Sequence, residues 1–133
     1  MRVTAFVFAF AATIAGGLPA EAHHSFAGTY DVSKEITIKG KIVEVSLRSP
    51  HSFFFVEAPD STGVLQRWAL EGASAGQFAK QGVTRDALKV GDEVEIIGNP
   101  ARSMMTSFRA RLIKITRPSD GWSWGARAGE TVQ

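Results

Sequence analysis

The sequence predicts an all-β domain with one short helix, closed into a small five-stranded barrel. Period-2 alternation of apolar and polar residues, rich in β-branched side chains, occurs in five short segments and is typical of half-buried strands. A single change of period, between the third and fourth segments, indicates the helix. The chain has 133 residues, which is enough for one domain with one core.

The first 22 residues predict a cleavable signal peptide. Arg2 supplies a positive start, an apolar run continues to Leu18, and residues 20–22 (Ala-Glu-Ala) fit the small-x-small cleavage pattern. The apolar run is shorter than the roughly 20 residues that a membrane-spanning helix needs. We therefore expect export to the bacterial periplasm, cleavage after Ala22, and no membrane span in the mature protein.

Composition limits the classes of partner. Fifteen basic and thirteen acidic residues give a formal charge of +2, a bias too weak to favour nucleic acid or an anionic membrane. The chain has no cysteine, which excludes disulfides, thiolate metal sites and cysteine nucleophiles.

The mature chain is expected to begin with an extended arm, residues 23–34, that packs on the barrel through Phe26 and Tyr30. Residues 35–47 then predict a long first strand. Gly40 indicates a bend or bulge in it, of the kind a strand needs when it serves two parts of a small barrel.

The second and third strands are predicted at residues 52–57 and 64–71, joined by a turn rich in Pro, Asp and Gly. The second strand contains three consecutive phenylalanines, residues 53–55, so at least one of them must point away from the core.

The helix is predicted at residues 74–81. Ser74 followed by Gln77 forms a capping-box pattern, and Gly82 is a natural C-terminal stop. Residues 84–88 predict one further helical turn.

The last two strands are predicted at residues 93–98 and 108–116, and Asn99-Pro100 is expected to break the first of them. The tail, residues 119–133, has no period. Its two tryptophans are candidates for docking on the barrel, and its end is expected to be mobile.

The order of these elements within residues 35–118 matches the OB-fold, a five-stranded Greek-key barrel with a helix between the third and fourth strands. A β-sandwich would need about seven strands. The predicted fold is therefore an OB-fold-like barrel.

Several segments resemble those of a family of small exported bacterial domains of unknown function: HHSF at the mature start, PHSF before the second strand, WALEG in the third strand, and the GVTRDALKVGDEV run. The resemblance covers nearly all of residues 22–117. The chain departs from the family pattern at Ser49, Phe53 and Val83, where members usually have Asn, Trp and Trp. Membership implies an OB-like periplasmic domain and brings no established activity.

The three histidines, His23, His24 and His51, predict a metal site at one end of the barrel. Cleavage after Ala22 would give His23 two ligand nitrogens, its α-amine and its ring. Together with the His51 ring they form a three-nitrogen set that suits copper, similar to the histidine brace of exported copper proteins. His24 offers a competing chelate through the amine, an amide and its own ring.

The same residues also fit structural roles. His51 could cap the start of a strand, and His23 and His24 could form a solvated terminus. Met104 and Met105 could add a thioether ligand that favours Cu(I), or could simply fill a loop.

A second binding surface is predicted on the face of strands two and three, where OB barrels bind oligonucleotides or oligosaccharides. Phe53, Phe55 and Trp68 offer stacking and Arg67 offers positive charge, although these aromatics are also candidates for the core. Further arginines are expected nearby: Arg48, Arg109 and Arg111. Export and low net charge disfavour nucleic acid, so the alternative to a metal is an oligosaccharide, another anionic envelope ligand, or a protein partner.

No catalytic residue is predicted. No glycine-rich phosphate loop follows a strand, and the acidic residues are interpreted as solvated or turn residues: Asp31, Glu57, Glu71, Asp92 and Glu93. The prediction is a non-enzymatic binding or accessory domain, with copper as the one cofactor considered.

Overall fold

The structure is a computed structural model that describes residues 26–103 and 108–126. Its elements, in chain order, are α1 (Phe26–Thr29), β1 (Ile36–Ser46), β2 (Phe53–Pro59), β3 (Leu65–Glu71), α2 (Ala75–Lys80), β4 (Glu93–Pro100), β5 (Arg109–Arg117) and β6 (Trp122–Gly125). Neither helix in this part of the chain has the length or apolar character needed to cross a bilayer.

The predicted barrel is confirmed. The strands lie in the order β3-β2-β1-β4-β5-β6, and a parallel pairing between β3 and β5 closes the first five into a barrel. The other strand pairings are antiparallel. With α2 between β3 and β4, this is the connectivity of an OB-like fold.

β1 pairs with both β2 and β4, as expected from the bend predicted at Gly40. Lys41 is opposite Glu57 of β2 and also opposite Glu93 of β4, and a bulge lies between Ile42 and Glu44. A Cβ on Gly40 would collide with the carbonyl oxygen of Glu57. The close approach of β2 therefore requires glycine at this position.

The core lies inside the barrel and is sealed at one end by α2. Phe54 and Phe78 are fully buried and meet edge to face, with their ring centroids 5.6 Å apart. The predicted capping box of α2 is present, since Ser74 Oγ accepts a hydrogen bond from the Gln77 backbone N–H and the Gln77 side chain accepts one from the Ser74 backbone N–H. Gly82 follows the helix with a φ of 80°, as a C-terminal stop requires.

Two local expectations are wrong, and the tail adds a strand that the sequence did not indicate. Asn99 and Pro100 continue β4 by pairing with Arg111 and Ala110 of β5. The tail contains β6, which pairs with the end of β5. The arm is not extended throughout, because the Tyr30 N–H bonds the Phe26 carbonyl and closes the helical turn α1.

The arm does pack on the barrel through Phe26 and Tyr30, as expected. Tyr30 forms a bridge with Ala101, and the Asp31 N–H donates to the carbonyl of Pro100. The arm thus follows the end of β4. Tyr30 is 1% exposed.

Candidate functional site

A buried glutamate lies at the end of β3. Strand pairing places Glu71 opposite Phe53 of β2 and beside Arg111 of β5. It is 8% exposed. The interpretation of this residue as a solvated acid is therefore wrong, because barrel closure covers the end of β3 with β5 and the arm.

Glu71 is the centre of a polar cluster, here called the Glu71 network: Tyr30, His51, Glu71 and Arg109. One carboxylate oxygen, Oε2, accepts hydrogen bonds from the Tyr30 hydroxyl and from Arg109 Nη2, the latter at 3.1 Å. The other oxygen, Oε1, lies 2.5 Å from His51 Nδ1. Charge-assisted bonds of this kind are about twice as strong as neutral ones, and they compensate for burying the carboxylate.

Tyr30 acts in this network as a hydrogen-bond donor. Burial raises the pKa of its hydroxyl above the ordinary value of 10.0, and the hydrogen bond to the Glu71 carboxylate raises it further. The hydroxyl therefore keeps its proton at physiological pH and holds Glu71 in place.

His51 projects from a loop that is fixed by its neighbour Ser52. Ser52 Oγ accepts a hydrogen bond from Arg48 N–H at 3.1 Å and donates one to the Arg48 carbonyl at 3.2 Å. The Ser52 N–H donates to the Ala73 carbonyl. The alternative role of His51, capping a strand through backbone groups, is wrong, because its Nδ1 bonds the Glu71 carboxylate.

The remaining ring nitrogen of His51 is chemically available. Within residues 26–103 and 108–126, no hydrogen bond is made by Nε2, and the side chain is 36% exposed. A carboxylate on Nδ1 fixes the ring orientation and the tautomer whose Nε2 lone pair is free, which is the usual arrangement of a histidine that binds a metal.

The chain just after the predicted amino terminus lies against this ring. Phe26 stacks on His51 with ring centroids 5.3 Å apart, and the Arg111 guanidinium lies 4.6 Å from the Phe26 centroid. An open cleft of about 520 Å³ adjoins His51 and is walled in part by Phe26 and Trp124.

The other predicted metal ligands, His23, His24, Met104 and Met105, lie outside the described residues. In the ranges that the structure describes, no three histidine, aspartate or glutamate side chains are grouped as a metal site.

The predicted ligand face is partly assembled. Phe53 and Phe55 point out of the barrel and stack with centroids 6.1 Å apart. Arg67 lies 4.8 Å from the Phe55 centroid, and Arg109 lies 5.9 Å from that of Phe53. We call these four residues the aromatic–arginine surface.

Trp68 is not part of this surface. It pairs with Val56, packs against the core from the inner face of β3, and meets the Phe108 ring at 5.1 Å. The expectation that the aromatics are core therefore holds for Trp68 and fails for Phe53 and Phe55, which are only half buried.

Sequence reasoning missed the partnership of Tyr30, Glu71 and Arg109 with His51. One signal was available for Glu71. The hairpin turn between the second and third strands fixes their register. Pro59 pairs with Leu65, and each preceding residue of the second strand pairs with the next residue of the third. That register carries Glu71 to the start of the second strand, next to His51. Arg109 and Tyr30 come from distant segments and gave no local signal.

The fold and the site define a small OB-like barrel with a buried acid–histidine pair at one end. A family model described as "Family of unknown function (DUF6152)" matches residues 12–108. The chain belongs to this family, as the resemblance in the sequence implied.

No curated protein matches the chain. Among solved structures, the crystal structure of the mitochondrial single-stranded DNA binding protein Rim1 from S. cerevisiae is similar, with 13% identity and a TM-score of 0.46, covering 62% of this chain and 91% of that one.

Proposed function

We propose that the protein is an exported periplasmic accessory domain that binds copper through His51 and the mature amino terminus. The ligands are the His51 ring, the α-amine and ring of His23, and, in the competing chelate, His24. The observation that carries the proposal is the contact between Phe26 and His51, with ring centroids 5.3 Å apart.

Distance along the chain supports this ligand set. His23 precedes Phe26 by three residues, and three residues span up to about 10 Å when extended. Phe26 touches the His51 ring, so the amino terminus left by cleavage after Ala22 is within reach of Nε2. The cleft beside His51, about 520 Å³ in volume, offers room for the arriving imidazoles.

The chemistry of His51 supports a metal role. The Glu71 carboxylate on Nδ1 holds the ring in place and orients Nε2. Two imidazoles and an amine are nitrogen donors, and copper has the highest affinity of the divalent first-row metals for such a set. Copper binding requires the α-amine to be unprotonated, which costs only about 1 kcal/mol at neutral pH.

The first experiment identifies the amino terminus. Mass spectrometry of the protein purified from the periplasm should give His23 as the first residue and, under native conditions, one bound copper ion. A mature chain that begins at another residue would remove the α-amine ligand and overturn the three-nitrogen set.

The second experiment measures the contribution of His51. Competition titration of the mature protein with Cu(II) should show an equimolar complex that weakens at least about a hundredfold in His51→Ala. Glu71→Gln, which leaves all ligands in place, should weaken it by about ten- to a hundredfold. Electron paramagnetic resonance should show one nitrogen fewer on copper in His51→Ala.

Arg67→Gln is the matched control, because Arg67 is exposed and contacts Glu44 and Phe55, away from His51. Its copper affinity should be unchanged. Equal affinity in His51→Ala and the unsubstituted protein would reduce the site to ordinary chelation by the amino terminus.

The aromatic–arginine surface favours a second candidate function, binding of an anionic oligosaccharide of the envelope. Phe53 and Phe55 present half-buried rings to solvent, and a guanidinium lies beside each of them. Rings that stack on sugar faces, flanked by cations that pair with acidic groups, are suited to a charged saccharide. A protein partner with an acidic strand is the remaining candidate for this surface.

Calorimetry with an oligogalacturonate, in metal-free buffer, tests this candidate. Binding should weaken about tenfold or more in Phe53→Ala, while Leu65→Ala, an exposed apolar residue of the same hairpin, should leave it unchanged. An oligothymidylate of equal charge serves as comparison. Tighter binding of the oligothymidylate, or none of the saccharide, contradicts the proposal.

A further inference from the structure

A second cleft, separate from the one beside His51, carries uncompensated positive charge. It has a volume of about 570 Å³. One side is formed by the end of β1 and the two residues after it, including Arg48, and the other by the segment before β4, which contributes Arg85 and Lys89. We call it the Arg85 cleft. Its volume falls within the range of about 300–1,000 Å³ that is common for small-molecule sites.

No acidic residue lines this cleft. Within the described ranges, Arg48, Arg85 and Lys89 also form no ion pair with a carboxylate. Asp92, which precedes β4, is engaged elsewhere, since it lies 2.7 Å from Arg117 Nη1 and accepts a hydrogen bond from the Lys89 backbone N–H. Three cations thus converge on one concave space, which concentrates anions there.

Apart from Ser46, the rest of the lining is aliphatic. Val45 and Leu47 contribute to the walls, and Val90 is 68% exposed at the rim. Exposed aliphatic surface next to converging cations favours a ligand that has both an anionic group and an apolar body.

Both sides of the cleft are held in place by backbone hydrogen bonds. The Arg48 carbonyl accepts one from the Ala75 N–H at 2.7 Å, and the Gly91 N–H donates to the Ile42 carbonyl at 2.8 Å. The cationic side chains therefore extend from a fixed frame, which lowers the cost of ordering the site on binding.

We propose that the Arg85 cleft binds a small organic anion, with a phosphate or carboxylate group among Arg48, Arg85 and Lys89 and an apolar part against Val45 and Val90. This site is independent of the copper and saccharide proposals, because it shares no residue with the Glu71 network or the aromatic–arginine surface.

The test is a nuclear magnetic resonance titration of the mature protein, free of metal and at constant ionic strength. Phenyl phosphate should shift the amide resonances of Val45, Arg85 and Val90 saturably. Benzoate tests the carboxylate form of the ligand, inorganic phosphate should bind about tenfold more weakly, and phenol should not shift these resonances.

Arg85→Gln should weaken phenyl phosphate binding at least about tenfold, because one charge-assisted contact is lost. Lys41→Gln is the matched control, since it removes an equal charge from an exposed position outside the cleft, and it should leave the affinity unchanged. Thermal unfolding confirms that both variants fold. Equal weakening in both variants, or unsaturable shifts with both aromatic anions, overturns the proposal.

Discussion

Glu71 has two oxygens and three partners, and each partner comes from a different part of the chain. Tyr30 belongs to the arm, His51 to the loop before β2, and Arg109 to the start of β5. A buried carboxylate is stable only when its charge is balanced and its lone pairs are satisfied. The same bonds that balance Glu71 also fix the His51 ring, so the stability of the barrel and the chemistry of the site depend on one residue.

The ionisation of Tyr30 tests this network directly, because the chain has a single tyrosine. Burial and the Glu71 bond raise its pKa, so the neutral phenol stabilises the fold below pH 10.0 and this contribution is lost at higher pH. Tyrosinate absorbance of the native protein should therefore rise only well above pH 10.0.

Glu71→Gln should lower the midpoint of this titration, because it removes a charge that disfavours the tyrosinate. The unfolded protein should titrate at about 10. A midpoint near 10 in the native protein would contradict the buried, hydrogen-bonded position of Tyr30.

At the scale of elements, the turn between β2 and β3 is held by one carboxylate. Asp60 accepts hydrogen bonds from the Thr62 hydroxyl and backbone N–H and from Gln66 Nε2. The Thr62 hydroxyl bond is the main reason that the pKa of Asp60 falls from 3.8 to about 2. The turn fixes the register that brings Glu71 beside His51.

Because this pKa is lowered by folding, the ionised Asp60 stabilises the protein above pH 3.8, and this contribution is lost as the pH falls towards about 2. Asp60→Asn should therefore be less stable than the unsubstituted protein at neutral pH, with a difference that shrinks between pH 3.8 and about 2. Chemical denaturation across this range measures the difference. A constant difference would exclude the ionised carboxylate as its cause.

Gly40 and Gly76 form a matched pair for testing the bend in β1. A methyl group at Gly40 would collide with β2, whereas one at Gly76 in α2 meets nothing within 4 Å. Gly40→Ala should lower the free energy of unfolding by about 2–3 kcal/mol, and Gly76→Ala should raise it by about 0.5–1 kcal/mol. Urea denaturation measures both, and equal effects would show that β2 does not approach β1 as described.

At the scale of the whole molecule, α2 and β6 cover one end of the barrel together. Trp124 packs on Phe78 with ring centroids 4.7 Å apart, and its indole N–H donates to Gln81 Oε1 at 2.7 Å. Phe78 in turn contacts Phe54 in the centre of the core. The tail is therefore part of the folded unit up to β6.

Trp124→Ala should lower the free energy of unfolding by about 3 kcal/mol, because it opens this packed end. Trp124→Phe keeps a ring on Phe78 and loses the hydrogen bond, so it should cost only about 1 kcal/mol. Thermal and urea unfolding measure both variants. An unchanged stability in Trp124→Ala would place the tail outside the cooperative unit.

The five barrel strands and α2 could be predicted from the sequence alone, because alternation, turn residues and the Ser74 cap are local signals. β6 has only four residues, Trp-Ser-Trp-Gly, which are too few for alternation to predict a strand, so it is defined by pairing with β5. The burial of Glu71 also depends on distant contacts, with Tyr30 and Arg109, 41 and 38 positions away. His51 was identified because histidine is rare in this chain, whereas its partner is one of thirteen acids.

The parallel contact between β3 and β5 has a consequence for the order of folding. Ala69 is opposite Arg109, so the barrel cannot close until residues near 110 have been synthesised. Closure over such a long stretch is slow, because the conformational entropy of the intervening chain is lost before the contacts that offset this loss have formed. A fragment that stops before β5 should leave its tyrosine open to water, and the first and last thirds of the chain should become ordered in the same step.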